Sequence, residues 1–559
     1  MVVLSCRWVY ESVVRNDLGL IANDLVTSRA EVLSQSDPIA ALGGPIGIAQ
    51  EVAPGSGTTP CVAQVSGDSN VHISSSPIVY NWDFRTGEVV MFWQVGGFIH
   101  VSLVVVFVAL LVSCSGAAIA AKPGVNYGQL GNNLPKPHKS AELIKTLKAG
   151  RVKIYDANPK ILKSLQNTSI QVSIMVPNEI ITSISTNQTI ADQWVRSNVV
   201  KFYPKTKIRY ILVGNEILSQ PDNVTWYNLV PAMGRIRKSL VKYKLKKIKV
   251  GTPLAMDCLE TSFPPSSGKF RSSVTGSVIG PLLRFINRTK SFFFIDVYTY
   301  FAWIADPVNV KLGYALLEPN VTSYTDPVSG LVYNNLLEQM LDALYFAMKR
   351  AGYPETRIFI AETGWPNGGD IDQIGGNIYN AAVYNRNVVK WLTRKPAPGT
   401  PLKPGIVFPS FIFALYNENL KPGPGTERHF GLLYPNGTSI YEIDLSGKTL
   451  EYPMKLPEPT NNVPYKGKIW CMVARGANTT ALGGALSYAC GQGNGTCDSI
   501  RPGGKCFKPE SLVWHANYAF SSYWAQFRKF GGSCYFNGLA VQTAKDPSFG
   551  SCKFPSVTL

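Results

Sequence analysis

The sequence lacks several patterns that would place it in a common class of protein. Its C-terminal cysteines contain no Cys-x2-Cys pair, the spacing typical of a zinc site, so we expect no metal there. No long apolar run occurs near residue 559, and we therefore expect no lipid-anchor signal at that end. Acidic residues are fewer than basic ones, 36 against 54, but the lysines and arginines are spread along the chain. Apart from a short basic run at 242–247, which is typical of a solvated helix end, nothing predicts a nucleic-acid partner.

Six of the ten cysteines are concentrated in the last 89 residues. Such density predicts a disulfide framework and an oxidising compartment, although the spacing alone leaves the pairing open. Eight Asn-x-Ser/Thr sites are consistent with the same secretory route. The cysteines are Cys471, Cys490, Cys497, Cys506, Cys534 and Cys552. The candidate glycosylation sites are Asn167, Asn187, Asn223, Asn287, Asn320, Asn436, Asn478 and Asn494.

An apolar run at 98–121 ends in small residues and resembles the hydrophobic region and cleavage site of a signal peptide. Met91 stands where such a peptide would start. We therefore interpret 91–121 as a signal-peptide-like segment and 1–90 as a disordered or non-native extension, because that extension has no sustained hydrophobic period. The protein is then expected to be secreted. If the extension is retained, the uncleaved run at 98–121 is the one segment expected to anchor the protein in a membrane.

From residue 122 onward, short apolar runs alternate with longer amphipathic stretches, a pattern typical of repeated βα units and a parallel sheet. Eight strands with intervening helices predict a (β/α)8 TIM barrel over 122–446. Nearly every run finishes in polar or aromatic residues, which should converge at the carboxyl ends of the strands. The predicted strands are 124–129, 151–156, 171–177, 209–216, 247–253, 292–300, 357–366 and 409–418.

The chain changes composition after the predicted barrel. Residues 447–469 are rich in Pro, Lys and Asn and have no apolar period, which predicts a linker. The cysteine-rich residues 470–553 predict a second, small domain. The core of so small a domain supplies little stability, so we expect disulfides to hold it together.

Two glutamates follow apolar strand residues. Glu216 closes the run 211–216, and Glu362 closes the run 358–362. A carboxylate is costly to hold near a core unless it is paired or functional, and for either residue alone a structural ion pair at the barrel rim is an equal alternative. Cleavage of a glycosidic bond needs two such carboxyl groups, one protonated and one ionised. Together the two therefore favour a glycosidase, whose mechanism requires no cofactor.

The region from Gly124 to about Leu445 resembles the plant β-1,3-glucanases of glycoside hydrolase family 17. The resemblance implies that Glu216 is the acid/base and that Glu362 is the nucleophile. It also implies that Asn215 binds the sugar 2-hydroxyl and that three charged residues support the cleft. Without the resemblance, a surface ion-pair cluster would explain those three charges. The matching stretches are 124–129, 213–216, 362–366, 413–421 and 427–432, and the three charged residues are Glu418, Lys421 and Glu427.

Several aromatic residues lie in or beside these stretches. Tyr127, Tyr298 and Trp365 are candidate substrate-binding residues, because flat apolar rings pack well against pyranoses. Tyr300, Phe301 and Trp303 follow the sixth strand, and for this group packing in the core is an equal alternative. The chain departs from the usual family pattern at two positions. Asp296 replaces an Asn and Thr299 replaces a Pro, which affects substrate binding and leaves both glutamates in place.

The last 90 residues resemble the carbohydrate-binding module of family 43. The resemblance accounts for all six cysteines and implies the pairs Cys471–Cys534, Cys490–Cys497 and Cys506–Cys552. Four aromatic residues are candidates for stacking on sugars, with core packing the alternative for at least half of them. They are Trp514, Tyr518, Tyr523 and Trp524.

The expected function is endo-hydrolysis of β-1,3-glucan by a secreted, monomeric cell-wall enzyme. A retaining mechanism predicts that the carboxyl groups of Glu216 and Glu362 lie about 5–5.5 Å apart. Two alternatives stay open. One is a wall glucan-binding protein with little activity, and the other is a transglycosylase, which uses the same two carboxylates.

Overall fold

The computed structural model describes residues 122–449 and 451–559, together with the backbone of two short strands, Tyr80–Trp82 and Val89–Met91. These two strands pair in antiparallel fashion within a unit of their own, 1–96. The rest of the predicted extension and the signal-peptide-like run at 98–121 lie outside the described residues. Among the helices that are described, none combines the length and apolar character needed to cross a membrane.

Eight parallel strands close a barrel, which confirms the predicted TIM fold. Strand β5 consists of two segments on either side of Thr252. Strands β1 to β5 pair in sequence, β5, β6 and β7 pair next, and β8 pairs back to β1. A parallel bridge between Ile360 and Ser410 joins β7 to β8 and completes the ring. The strands are β1 Gly124–Tyr127, β2 Arg151–Ile154, β3 Gln171–Val176, β4 Lys207–Val213, β5 Lys249–Gly251 and Pro253–Ala255, β6 Phe293–Asp296, β7 Ile358–Glu362 and β8 Phe411–Ile412.

Several predicted strands ran too far at their carboxyl ends. The fourth ends at Val213 and not at Glu216, because Gly214 adopts a left-handed conformation and turns the chain out of the sheet. The sixth ends at Asp296, and a helix begins at Thr299. The polar and aromatic residues that closed these runs therefore lie on loops above the barrel, where a TIM barrel places its active site.

Amphipathic helices surround the strands and bury one face each. Asn335 and Asn377 cap the helices Leu336–Arg350 and Ile378–Thr393 by accepting hydrogen bonds from the backbone N–H groups of Glu338 and Asn380. The longer helices of the barrel are α1 Pro137–Thr146, α2 Pro159–Ser164, α3 Ile181–Thr186, α4 Gln188–Val195, α5 Asn223–Lys242, α6 Gly280–Thr289, α7 Thr299–Ala305, α8 Leu312–Ala315, α9 Leu336–Arg350 and α10 Ile378–Thr393. Two short antiparallel pairs, Leu259–Thr261 with Lys269–Phe270 and Tyr324–Thr325 with Val332–Tyr333, lie in the loops.

Aromatic side chains from adjacent strands form a second buried cluster, separate from the one packed by the helices. Phe359 stacks on Phe294 and on Phe411, with ring centroids 4.9 and 5.2 Å apart. Residues at alternating strand positions point into a barrel, and bulky side chains there fill it. The barrel is therefore solid beneath the face where the strands end.

The C-terminal residues form a compact module, with a three-stranded antiparallel sheet against two helices. The elements are β9 Lys468–Val473, α11 Thr479–Cys490, α12 Leu512–Phe527, β10 Ala540–Thr543 and β11 Val557–Thr558. Disulfides join Cys471 to Cys534, Cys490 to Cys497 and Cys506 to Cys552, the pairing that the family resemblance implied. Of the four candidate stacking residues, Tyr518 and Trp524 are buried in the module core, while Trp514 and Tyr523 are partly exposed.

We expect reduction to unfold the module and to spare the barrel. Loss of a native disulfide from a small domain costs about 2–5 kcal/mol, and all three disulfides of the described residues lie in the module. Cys258 in the barrel is buried and unpaired, so a reductant has no bond to break there. Differential scanning calorimetry with and without dithiothreitol measures the two transitions. Loss of the barrel transition on reduction would contradict this expectation.

Candidate active site

Glu362 ends β7 and is almost completely buried, with 6% of its surface exposed. Oε1 accepts hydrogen bonds from Lys153 Nζ at 2.7 Å and from the Tyr155 hydroxyl at 2.5 Å. Oε2 accepts one from the Tyr298 hydroxyl at 2.6 Å. Both carboxylate oxygens are therefore held by three donors from two segments of the barrel, the end of β2 and the loop after β6, which fixes the side chain in place.

The surroundings of Glu362 favour its ionised form. Burial by itself would raise its pKa, but the positive charge of Lys153 and the hydrogen bonds from Lys153, Tyr155 and Tyr298 outweigh burial and hold the pKa below its usual value. Lys153 is fully buried and forms its closest ion pair with this carboxylate. Glu362 therefore suits the role of a nucleophile, which must be ionised to attack.

Glu216 lies three residues beyond the end of β4, in a tight turn. Gly214 and Glu216 both have positive φ, 69° and 47°, and the latter is uncommon for a residue with a side chain. The backbone N–H of Glu216 donates to the carbonyl of Pro253 at 3.1 Å, and Asn178 Oδ1 accepts from the backbone N–H of Asn215 at 2.8 Å. These bonds hold an unfavourable backbone conformation at a residue predicted to be catalytic, where such strain is commonly found.

The environment of Glu216 has the opposite effect on its proton. Burial, and after it the negative charge of Glu362, raises the pKa of Glu216 to about 7. Glu216 thus keeps its proton up to neutral pH while Glu362 has lost its own. Two carboxyl groups whose surroundings drive their pKa values apart are suited to act as an acid and a nucleophile.

Both glutamates line one open cavity of about 990 Å³. Aromatic rings form much of its wall, and Phe263 and Phe301, with 62% and 41% of their surfaces exposed, are the most accessible of them. The volume is in the range of sites that hold a small ligand or several sugar units. The aromatic residues of the wall are Phe263, Tyr298, Phe301, Tyr314, Tyr324, Phe413 and Phe430.

The structure separates the three predicted supporting charges. Lys421 and Glu427 line the cavity and form an ion pair at 2.9 Å, and Lys421 lies 4.3 Å from the ring centre of Phe413. Glu418 is buried, and its Oε1 accepts a hydrogen bond from the backbone N–H of Leu130 at 2.7 Å. Glu418 therefore holds the loop after β1, while the Lys421–Glu427 pair faces the cavity. Asn215 Oδ1 is 3.4 Å from Lys153 Nζ, close to the nucleophile.

Of the three predicted substrate-binding aromatic residues, one lines the cavity and two are buried. Tyr298 lines the cavity and binds Glu362, as described above. Tyr127 is 3% exposed and packs edge-on against Tyr416, and Trp365 is 0% exposed and donates from Nε1 to the carbonyl of Gly375. These two side chains lie beneath the surface and have no access to a substrate in this structure. Burial of large rings is their more common role, and sequence reasoning had no means to tell the two cases apart.

Lys153 and Tyr155 are functional residues that sequence reasoning missed. A signal was present, because Lys153 stands between the apolar residues Val152 and Ile154 on a predicted barrel strand. A lysine at an inward strand position is almost never fully buried unless it is paired. That rule predicts a buried carboxylate partner, although it does not say which one.

Asp296, at the end of β6, is a third carboxyl group in this cluster. Its side chain is fully buried, and the nearer oxygen lies 3.9 Å from Lys153 Nζ. Neither oxygen has a hydrogen-bond partner among the described residues. Burial, and next the charge of Glu362, raises the pKa of Asp296 well above its usual value, which favours the neutral form of this carboxyl. Lys153 is thereby left to pair with Glu362.

We expect Asp296→Asn to stabilise the protein at pH 7 and to change kcat/KM by less than about fivefold, a barrier change near 1 kcal/mol. The raised pKa of Asp296 destabilises the folded state as pH rises above about 3.9, its value in an unfolded chain. An amide does not ionise, so the variant has no such loss of stability. The gain in melting temperature should therefore shrink towards pH 4. Thermal unfolding at both pH values measures it, with Asp257→Asn, an exposed carboxyl of the same cavity, as the control. A variant less stable than wild type at pH 7 would show that Asp296 is ionised.

Comparisons with known proteins agree with this geometry. Residues 123–445 match the family described as Glycosyl hydrolases family 17, and residues 469–541 match the X8 domain. The chain is 54% identical to the "Probable glucan endo-1,3-beta-glucosidase A6" of Arabidopsis thaliana over 442 residues, which is 79% of this chain and 92% of that protein. It is 36% identical to the glucan endo-1,3-beta-D-glucosidase of Olea europaea, over 78% of this chain and 93% of the relative.

Two solved structures superpose on the barrel. The first is a β-1,3-glucanase and allergen of Cryptomeria japonica pollen, 39% identical, with a TM-score of 0.55 over 58% of this chain and 99% of the other. The second is a plant beta-glucan endohydrolase, 32% identical, with a TM-score of 0.53 over 57% of this chain and 99% of the other.

Proposed function

The chain belongs to glycosyl hydrolases family 17, and on this premise we propose that it cleaves internal β-1,3-glucosidic linkages of β-1,3-glucans with retention of configuration. The observation that carries the proposal is the pair of glutamates in one cavity with opposite protonation, Glu216 neutral and Glu362 ionised. Retaining glycosidases require this combination of a protonated acid and a carboxylate nucleophile.

The reaction proceeds in two displacements. Glu216 donates its proton to the glycosidic oxygen while the carboxylate of Glu362 attacks the anomeric carbon, which releases one end of the glucan and leaves a glycosyl ester on Glu362. The ionised Glu216 then removes a proton from water, the water attacks the same carbon, and the ester bond to Glu362 breaks. Lys153, Tyr155 and Tyr298 hold Glu362 in the attacking position throughout.

The module and the compartment follow from the same proposal. The C-terminal module acts as a carbohydrate-binding module of family 43 that keeps the enzyme on β-1,3-glucan, and the protein is secreted to the cell wall. Three disulfides in the module and eight Asn-x-Ser/Thr sequences along the chain support an oxidising, secretory route. We assign residues 122–446 to the hydrolase domain, followed by the predicted linker 447–469 and module 470–553. The module sheet extends beyond these last bounds, since β9 begins at Lys468 and β11 is Val557–Thr558.

Incubation with laminarin tests the reaction type. We expect the average chain length to fall quickly, with oligosaccharides released from the interior, because the cavity is open and not a closed pocket. Size-exclusion chromatography and mass spectrometry of the products measure this. Products longer than the starting oligosaccharides would instead show a transglycosylase, and unchanged glucan would show a binding protein.

The two glutamates are expected to respond differently to substitution. Glu362→Gln should abolish turnover because an amide cannot form the glycosyl ester, and Glu216→Gln should lose about 10²–10⁴-fold on natural glucan for want of a proton donor. An aryl glycoside with a good leaving group needs little protonation, so it should partly restore the first step in Glu216→Gln and not in Glu362→Gln. Pre-steady-state release of the aryl group measures that step.

The pH profile of the wild-type enzyme provides a second readout of the same assignment. Glu216 must be protonated, so kcat/KM should fall as pH rises through about 7, the pKa that burial gives it. With the aryl substrate, which needs little protonation, the fall of kcat/KM above pH 7 should be smaller. A reversed pattern of rescue would mean that Glu216 is the nucleophile and Glu362 the acid. Near-normal activity of a folded Glu362→Gln protein would show that Glu362 is not the nucleophile.

A further inference from the structure

The C-terminal module packs against the barrel at the loop that follows β7. Asp372 in that loop accepts from Arg528 Nη2 at 3.0 Å and from Gln542 Nε2 at 3.0 Å, and its backbone N–H donates to Gln542 Oε1 at 3.3 Å. The neighbouring Ile371 packs against the hydrophobic core of the module. A charged, bidentate and partly desolvated contact of this kind has a defined geometry, unlike the loose attachment expected of a tethered domain.

The module also contacts the loop that follows β8. The Tyr535 hydroxyl donates to the carbonyl of Asn419 at 3.3 Å, and the guanidinium of Arg428 lies 3.9 Å from the centre of the Tyr535 ring. Arg428 Nη1 in turn donates to the carbonyls of Lys421 and Gly423, at 3.1 and 3.0 Å. The module thus contacts, through one arginine, the backbone of a residue that lines the catalytic cavity.

Hydrogen bonds connect the two loops to each other. Asp370 Oδ2 accepts from the backbone N–H of Gly425 at 2.8 Å, and Gln373 Oε1 accepts from that of Thr426 at 2.9 Å. Both acceptors lie within two residues of Asp372, which binds the module. Both donors directly precede Glu427, which pairs with Lys421 in the cavity.

Two asparagines of the predicted linker add to this arrangement. Asn461 accepts from the backbone N–H of Gly375 and donates from Nδ2 to the carbonyls of Gln373 and Gly376. Asn462 Oδ1 accepts from Asn377 and Asn380, at 2.9 and 2.7 Å. The linker is therefore fixed to the loop after β7 at the point where Trp365 binds the carbonyl of Gly375.

We propose that the C-terminal module supports the active-site wall from outside the cavity, and that Arg528 and Tyr535 act as positioning residues that hold the Lys421–Glu427 pair beside the catalytic glutamates. The inference rests on the proposed glucanase function and deepens it. A module that served for attachment to polymer alone would need no contact with the loop that carries Lys421 and Glu427. In this structure the contacts converge on the loop that carries both.

The position of Lys421 has an electrostatic consequence that can be measured. Its positive charge lowers the pKa of Glu216 and so opposes the effects of burial and of Glu362. If the loop loses its support, Lys421 moves away on average and the pKa of Glu216 rises. Glu216 then stays protonated to a higher pH, so the fall of kcat/KM on the alkaline side occurs at a higher pH.

The double variant Arg528→Met/Tyr535→Ala tests the proposal in the full chain. Its control is Lys529→Met/Tyr488→Ala, which likewise replaces one basic residue by methionine and one tyrosine by alanine, at two exposed residues of the module. The substrate is a soluble β-1,3-glucan hexasaccharide, so that attachment to a polymer surface plays no part. We expect kcat/KM of Arg528→Met/Tyr535→Ala to fall by about tenfold or more, since small misplacement of active-site groups has effects of that size. We also expect its basic limb to move to higher pH relative to the control.

Equal kcat/KM and equal pH profiles for the two double variants on the hexasaccharide would overturn the proposal, as would a loss confined to insoluble glucan. The barrel-side variant Asp372→Asn keeps the shape of the contact and removes its charge, so it should give a smaller change in the same direction. Unchanged circular dichroism and retention of each variant on insoluble β-1,3-glucan establish that the module is folded. If the proposed function itself is wrong, the wild type and the control will be inactive as well, which separates the two failures.

Discussion

The active site depends on one buried lysine among three buried carboxyl groups. Lys153 is fully buried and lies within reach of both Glu362 and Asp296, but its short ion pair is with Glu362. Burial by itself raises the pKa of Glu216, Asp296 and Glu362 alike, and the position of one amine favours the ionised form of Glu362. Removal of one partner from such a buried pair leaves an uncompensated charge and is strongly destabilising. The register of β2, β6 and β7, which carry these residues, is therefore a requirement of the chemistry as much as of the fold.

The lysine also explains how two glutamates that line one cavity have pKa values shifted in opposite directions. Glu362 accepts hydrogen bonds from Lys153 and from two tyrosine hydroxyls, whereas for Glu216 burial and the charge of Glu362 outweigh the opposing charges of Lys153 and Lys421. The asymmetry is built into the barrel before any substrate binds. Preorganisation of this kind is a large part of what an enzyme contributes to catalysis, because no reorganisation is needed as the reaction occurs.

The barrel, and the placement of Glu216 and Glu362 beside the ends of two of its strands, could be predicted from the sequence, because both are carried by local patterns. Strands alternate with helices, and a carboxylate that ends an apolar run is a local anomaly. Tyr127 and Trp365 lie in motifs as distinctive as those of the glutamates, yet they are buried, since a motif does not state which face of a loop a ring occupies. Lys153 was missed for a related reason: its partner is 209 residues away along the chain. The linker was predicted as a simple connection because composition does not reveal that Asn461 and Asn462 have partners in the barrel.

The raised pKa of Glu216 has a cost in stability that the rest of the protein must offset. In an unfolded chain this carboxyl ionises near its ordinary value of 4.5, and in the folded chain it keeps its proton to about 7. The folded state therefore holds the extra proton between these values, and stability falls as pH rises through that window, by about 3 kcal/mol in all. The same burial that makes Glu216 an effective acid near neutrality thus destabilises the barrel at the pH where it works. Asp296 adds to this cost in the same direction, since its pKa is raised as well. The close packing of a large barrel has to offset this loss of stability. Contacts that hold the loops from outside, such as those of the module, add to the stabilisation that such a site requires.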